Sequence, residues 1–230
     1  MPLIAISRDP RYSKSEADRA ILLAVVHCLE QQGQDVVVMS EREFQKSRAE
    51  GECIFGMYRD EETLKVLDKI QKRGVRVIPT PEAIRHARRE CHIPLLMKAG
   101  IPMPPIGNIG FPCWLKKAHG WTETTSDVIF CKQQIPADID LHDYIIQKHI
   151  DGNFVKFYGV AGTDFFYPSD NDLLRDIAAR GAASLSLPVY GGDAIVTPDH
   201  RIYVIDFNDW PSFTPCREEA AKAIAQIIVR

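Results

Sequence analysis

The first eighty residues alternate short apolar runs with amphipathic segments of helix length, and no other feature of the chain limits its fold as strongly. Residues 3–7, 35–39, 53–57 and 75–79 read as strands. After the first, Ser15 is placed to cap a helix, with Asp18 three residues on. Ile21, Leu22, Val25, Val26 and Leu29 follow at helical spacing, and Gly33 stops the run. Residues 60–72 read as a helix carrying Leu64, Leu67 and Ile70, stopped at Gly74. Strands joined through helices return in the same direction, so this half predicts a small parallel α/β sheet.

The pattern then changes. Thr80-Pro81-Glu82 opens a helix with Pro in its first turn, and a second helical stretch runs to Lys98 with Gly100 after it. Residues 101–110 are rich in Pro and Gly and read as a connector. Beyond it, 113–117, 128–132, 144–150, 154–160 and 164–167 read as strands with few helices between. Residues 170–183 form a helix. Residues 189–197 and 201–207 form a hairpin around Pro198-Asp199-His200, and an amphipathic helix over 217–229 closes the chain.

Composition removes several alternatives. With 45% hydrophobic and 26% charged residues over 230 positions, the chain is neither disordered, collagen-like nor a coiled coil. A net charge of -3 gives no reason to expect nucleic acid or an anionic membrane as partner. The longest apolar run, residues 20–26, falls far short of the ~20 residues of a membrane span. The N-terminus lacks the basic start and cleavage site of a signal peptide. Six cysteines without a C-x-x-C pair, mostly among apolar residues, read as reduced thiols of a cytoplasmic protein. Cys91-His92 has no second pair to complete a zinc site. Oligomeric state is not legible, and a small-molecule substrate is the expected partner.

Charge is uneven along the chain. From 85 to 117 there are six Lys/Arg against one acid, whereas from 118 to 213 there are six against fourteen acids. Such a division suits a site holding both a polyanion and a metal, and it also describes ordinary solvated faces.

The strongest local signal is Tyr190-Gly191-Gly192-Asp193-Ala194-Ile195-Val196, followed by Ile202-Tyr203-Val204-Ile205-Asp206-Phe207-Asn208-Asp209-Trp210-Pro211. Asp206 projects from a strand too apolar to be exposed, so it needs a partner. Oxygen ligands from Asp193, Asp206 and Asn208 suit Mg²⁺, and Asp206 and Asn208, two apart on a strand, share a face. Acids capping the ends of a plain hairpin remain the other reading. Lys116 and Lys117 end a strand and run into Ala118-His119-Gly120 and Thr122, Thr124 and Thr125, as phosphate-binding lysines do and as a surface pair also does. Arg85, Arg88 and Arg89 lie at helical spacing, the pattern of a solvated helix face as much as of a phosphate contact. Gln147-Lys148-His149-Ile150-Asp151-Gly152 ends an apolar strand in a turn, suited to holding a purine base and equally to being a plain turn. There is no P-loop, G-x-G-x-x-G, H-E-x-x-H or G-x-S-x-G motif.

Taken in order, these segments resemble the ATP-grasp superfamily over roughly residues 80–215. The match comprises Arg89, the connector Gly100-Ile101-Pro102-Met103-Pro104, and the strand Pro112-Cys113-Trp114-Leu115-Lys116. It continues through the hinge ending Asp151-Gly152 and the basic strand Val155-Lys156-Phe157-Tyr158, then Asp193, Asp206, Asn208 and Pro211. The fold class expected is α/β (α+β), a small parallel N-terminal domain over 1–80 followed by an ATP-grasp domain with antiparallel sheets over 81–230, including a lid at about 108–150.

The resemblance implies that Arg89 and Lys116, or Lys117 if the register slips by one, contact ATP phosphates. Gln147, Lys148, His149 and Ile150 hold adenine, and Asp151 meets the ribose. Asp193, Asp206 and Asn208 bind one or two Mg²⁺ ions, and Lys156 neutralises the transferring phosphoryl group. The implied activity is a carboxylate–amine or carboxylate–thiol ligase; the alternatives are a small-molecule kinase of the polyol or inositol phosphate type, since Lys116 to Gly120 and Val204 to Asn208 are also similar to the ATP-grasp inositol polyphosphate kinases, or a non-catalytic nucleotide-binding module. Arg8, Asp9, Arg11 and Tyr12 after the first strand are candidate substrate contacts, or a solvated loop. The chain departs from the resemblance at Gly191, where many ligases carry arginine, at Arg89 in place of lysine, at Asp206 in place of glutamate, and in a loop after Lys116 that is not glycine-rich.

Overall fold

The structure is a computed structural model that describes residues 1–10, 15–47, 49–107, 112–118, 128–131 and 140–230. Arg11, Tyr12, His119, Gly120, Thr122, Thr124 and Thr125 lie outside the described residues.

The N-terminal sheet is parallel, with strands β1 (Leu3–Ser7), β2 (Val36–Ser40), β3 (Cys53–Gly56) and β4 (Arg76–Ile78) in the order β2-β1-β3-β4. Helices α1 (Ser15–Gln31), α2 (Glu41–Ser47) and α3 (Glu61–Lys72) connect them. α1 ends as the sequence predicts: Gly33 has φ +79°, its N–H donates to Glu30 O, and Gln34 N–H donates to Leu29 O, which together satisfy the last carbonyls. Ser15 is the first residue within α1 and not its cap. Asp60 and Thr80 cap α3 and α4 (Pro81–His86) through side-chain oxygens that accept from Glu62 N and Ala83 N. Helix α5 (Arg89–Lys98) follows.

α2 is not among the expected helices, yet its signal is in the sequence. Ser40 Oγ accepts from Glu43 N–H at 3.3 Å while Glu43 Oε2 accepts from Ser40 N–H at 2.7 Å, a reciprocal capping box.

Both faces of the parallel sheet are covered. Ile4, Ile6 and Ile54 pack on Phe44 of α2, Leu64, Leu67 and Ile70 of α3, and Ile84 of α4. Leu3, Ala5, Cys53 and Phe55 pack on the opposite side against α1 and the C-terminal helix α7 (Arg217–Ile228).

The remaining strands form two antiparallel sheets. β5 (Cys113–Lys117) lies between β6 (Val128–Cys131) and β7 (Tyr144–Lys148). A four-stranded sheet runs β11-β10-β8-β9, made of β8 (Asn153–Val160), β9 (Phe166–Tyr167), β10 (Val189–Val196) and β11 (Ile202–Asp209). One face packs Phe157, Ala194, Val204 and Phe207 on α6 (Asp172–Ser184) and on Leu96 of α5. The other carries the candidate site. Mixed helix and strand with one parallel and two antiparallel sheets is the fold class expected from the sequence.

Candidate functional site

A β-bulge decides which way the acids of β11 point. Asp193 pairs with Asp206, but the next residue, Ala194, pairs with Val204, so Ile205 is an extra residue. Strict alternation would put Val204 and Asp206 on the same face. With the bulge, Val204 and Phe207 both enter the core beside α6, and Asp206 turns to the opposite face with Asn208. Asn208 Nδ2 lies 3.4 Å from Asp206 Oδ2, which leaves the amide oxygen outside that contact.

Three cations surround the pair of acids. Lys156 is the register partner of Asp193 on β8, and its Nζ donates to Asp193 Oδ1 at 2.8 Å while lying 5.0 Å from the Phe154 ring centre. Arg89, at the start of α5, reaches Asp206 Oδ1 at 3.8 Å through one nitrogen and donates to the Lys117 carbonyl at 2.9 Å through another. Lys116 is only 6% exposed, and its Nζ donates to the carbonyl of Ile205, the bulge residue. Lys116 and Arg89 thus join the three-stranded sheet to β11. Lys117 takes part through its carbonyl, and its side chain is exposed.

The electrostatics separate the two carboxyls. Burial pushes Asp193 up, nearby Asp206 adds to the rise, and Lys156 only partly opposes it. Burial also pushes Asp206 up, but Arg89, Lys116 and His92 outweigh it and hold Asp206 below the ordinary aspartate range. In the sequence His92 is only half of an incomplete zinc pair. It lies one turn after Arg89 on α5 and is buried, with Nδ1 3.2 Å from the Ala87 carbonyl oxygen. Burial lowers its pKa against the pull of Asp206, which favours the neutral ring.

Residues 147–151 form a separate group at the end of β7 and just past it. Gln147 is the register partner of Trp114, is 1% exposed, and its Nε2 makes no hydrogen bond. Trp114 Nε1 donates to His149 Nδ1 at 2.9 Å, and His149 Nε2 lies 3.2 Å from Asp151 Oδ1. The backbone N–H groups of Lys148 and His149 are engaged by the carbonyls of Pro105 and Pro112. Asp151 has an almost fully exposed carboxylate.

Gly191 is closed to larger residues. A Cβ there would lie 2.7 Å from Pro211 Cγ, 2.8 Å from the Phe157 carbonyl oxygen and 2.9 Å from Tyr158 Cδ1. Tyr158 and Pro211 fill the space that a side chain at 191 would need.

The sequence matches no family model and no curated protein. Solved structures match in three dimensions. The RimK domain protein ATP-grasp from Sphaerobacter thermophilus superposes with TM-score 0.73 at 16% identity, covering 99% of this chain and 100% of that one. D-alanine–D-alanine ligase from Bacillus anthracis gives 0.71 at 11%, covering 100% and 96%. N5-carboxyaminoimidazole ribonucleotide synthetase from Thermotoga maritima gives 0.65 at 14%, covering 97% and 76%. With this sheet topology and these likenesses along nearly its whole length, the chain has the ATP-grasp fold.

Proposed function

We propose that the protein is an ATP- and Mg²⁺-dependent ligase that activates a small carboxylate as an acyl phosphate for attack by an amine or thiol. The observation that carries this reading is the convergence of Asp193, Asp206 and Asn208 with Lys116, Lys156 and Arg89, drawn from five separate elements. The ATP-grasp ligases that share the fold include structures holding ATP, or Mg and ADP, which supports the choice of nucleotide and metal.

Two carboxylates and an amide oxygen fit Mg²⁺, which takes one or two carboxylates plus phosphate oxygens and keeps several waters. Among the described residues no group of three or more His, Cys, Asp or Glu is gathered, so an all-protein cage is not the fit. When bound, Mg²⁺ supplies positive charge against the phosphate oxygens. Asp206, held ionised by its cations, is the firmer ligand, and Asp193 is shared with Lys156. Arg89 and Lys116 hold phosphates, and Lys156 faces the charge that develops on the transferring group. The closed space at Gly191 leaves Lys156 to steady an acyl phosphate where many ligases use arginine. Gln147 Nε2, an orphaned buried donor, is matched to an acceptor nitrogen of adenine. Residues 1–80 then serve the substrate side, 81–230 the nucleotide, with a lid at about 108–150.

The substrate carboxylate oxygen attacks the γ-phosphorus and ADP leaves. The amine or thiol then displaces phosphate from the acyl carbon and gives up its proton. A thermal-shift titration with Mg·ATP tests the site. At ~100 times its dissociation constant the ligand adds about 2.7 kcal/mol, and Asp206→Ala loses that gain. No shift in the wild type overturns the reading. ADP release that requires both carboxylate and amine marks a ligase, ADP without free phosphate a kinase, and binding without release a nucleotide-binding module.

A further inference from the structure

Register across the four-stranded sheet sorts the site face into three rows. Phe154, Lys156 and Tyr158 alternate along β8 and share a side, and Lys156 fixes it as the side of Asp193. Residues opposite one another on neighbouring strands also share a side. The first row is therefore Phe154, Ile195 and Tyr203, and the second is Lys156, Asp193 and Asp206. The third is Tyr167, Tyr158, Gly191 and Asn208. Rows two residues apart stand ~7 Å from one another.

Chain direction orders these rows. β8 begins just past residues 147–151 and runs from the first row to the third. With the base at Gln147 and the phosphates at the second row, the third row lies beyond the γ-phosphate. That is where the body of an attacking carboxylate must fit.

The third row is aromatic and holds no charge among the described residues. Tyr158 is 7% exposed and is backed by buried Phe213, with ring centres 5.3 Å apart. Tyr167 is 38% exposed, and its ring centre lies 6.1 Å from that of Tyr158 at an interplanar angle of 48°. Asp209, the residue after Asn208, is fully buried and accepts from Arg59 Nη2 at 2.8 Å, with Arg8 Nη2 4.0 Å away. Arg8 is itself buried and reaches Asp18 Oδ2 at 2.7 Å, so these charges are matched within the fold. The adjoining Lys156–Asp193 pair is balanced as well. A second carboxylate or an ammonium group on the substrate would lose its water at this row without gaining a counter-charge. A ring would pack offset or edge-on against the tyrosines.

We propose that the carboxylate substrate is an aromatic monocarboxylic acid whose ring lies against Tyr167 and Tyr158, with Tyr167 setting the specificity. The inference rests on the ligase reading, which puts the reacting carboxylate at the second row.

Calorimetry tests it on the full chain loaded with Mg²⁺ and a non-hydrolysable ATP analogue. The separate probes are phenylacetate, acetate, succinate and β-alanine. Phenylacetate is expected to bind roughly tenfold or more tighter than each of the others, because it alone buries an apolar ring. Tyr167→Ala is expected to weaken phenylacetate by about threefold or more while leaving acetate within about twofold, and Tyr167→Phe to restore the preference. Equal binding of phenylacetate and acetate overturns the proposal. So does succinate or β-alanine binding as tightly as phenylacetate, the absence of binding by any probe, or a Tyr167→Ala variant that keeps the full preference. If Tyr167→Ala does not fold, the ranking of the four probes on the wild type decides. Each of these failures leaves the Mg·ATP thermal shift of the wild type in place, whereas loss of that shift overturns the ligase reading and this inference with it.

Discussion

At the scale of single residues, Gly191 shows how closely this site is built. A methyl group there meets Pro211, the Phe157 carbonyl and Tyr158, and each of those contacts is to backbone or to a ring constrained by its surroundings. Gly191→Ala is expected to destabilise the protein by about 1–3 kcal/mol, the range for overpacking a filled site, as read by urea unfolding. Glu61 makes a second residue-level test. Burial pushes its carboxyl up, but Arg88 and Arg85 outweigh burial and hold it below the ordinary glutamate value. That contribution is present above the unfolded pKa of ~4.3 and is lost as pH falls through the lower folded value. The side chain is nearly half exposed, so screening keeps the effect under ~1 kcal/mol. Glu61→Gln is expected to be the less stable protein at pH 7 and to match the wild type near pH 3 in urea unfolding at the two pH values. Asp193, Asp206 and Asn208 were legible at this scale, because an acid embedded in an apolar strand is costly without a partner. His92 was not, because its role depends on Asp206, more than a hundred residues away, packing beside α5.

At the scale of elements, the bulge in β11 joins two parts of the site. Ile205 is the extra residue, and its carbonyl accepts from Lys116. Deleting Ile205 leaves Asp206 on the same face and removes that acceptor. The strand is expected to form, with Mg·ATP binding weakened by about tenfold, equivalent to one charge-assisted hydrogen bond of ~1.4 kcal/mol, in the thermal-shift titration. Most strands and helices follow from periodicity and caps. α2 follows from Ser40 and Glu43, a signal local enough to read before the fold is known. The bulge does not follow, because β11 read with period two places Asp206 with Val204.

Across the whole molecule, the chain closes on itself. α7, the last element, packs against α1 and the first sheet and buries Ile224, Ile227 and Ile228 with four alanines. Removing residues 217–230 forfeits three buried isoleucines at ~2 kcal/mol each, which is about the entire stability of an ordinary domain. The truncated protein is expected to lack a cooperative thermal transition in circular dichroism. Arg76 adds a polar tie, donating to the carbonyls of Ile227 and Ile228 at 2.8 Å.

The sequence alone determined the parallel half, the positions of the later strands along the chain and the identity of the oxygen and ammonium groups, since periodicity, caps and residue chemistry are local properties. Only the tertiary structure decided that Lys116 holds the bulge carbonyl, that Arg89 spans from Lys117 to Asp206, and that Arg8 and Arg59 meet at Asp209. Those contacts join residues 28 to 201 positions apart, and their geometry comes from how the sheets pack, which no local pattern records.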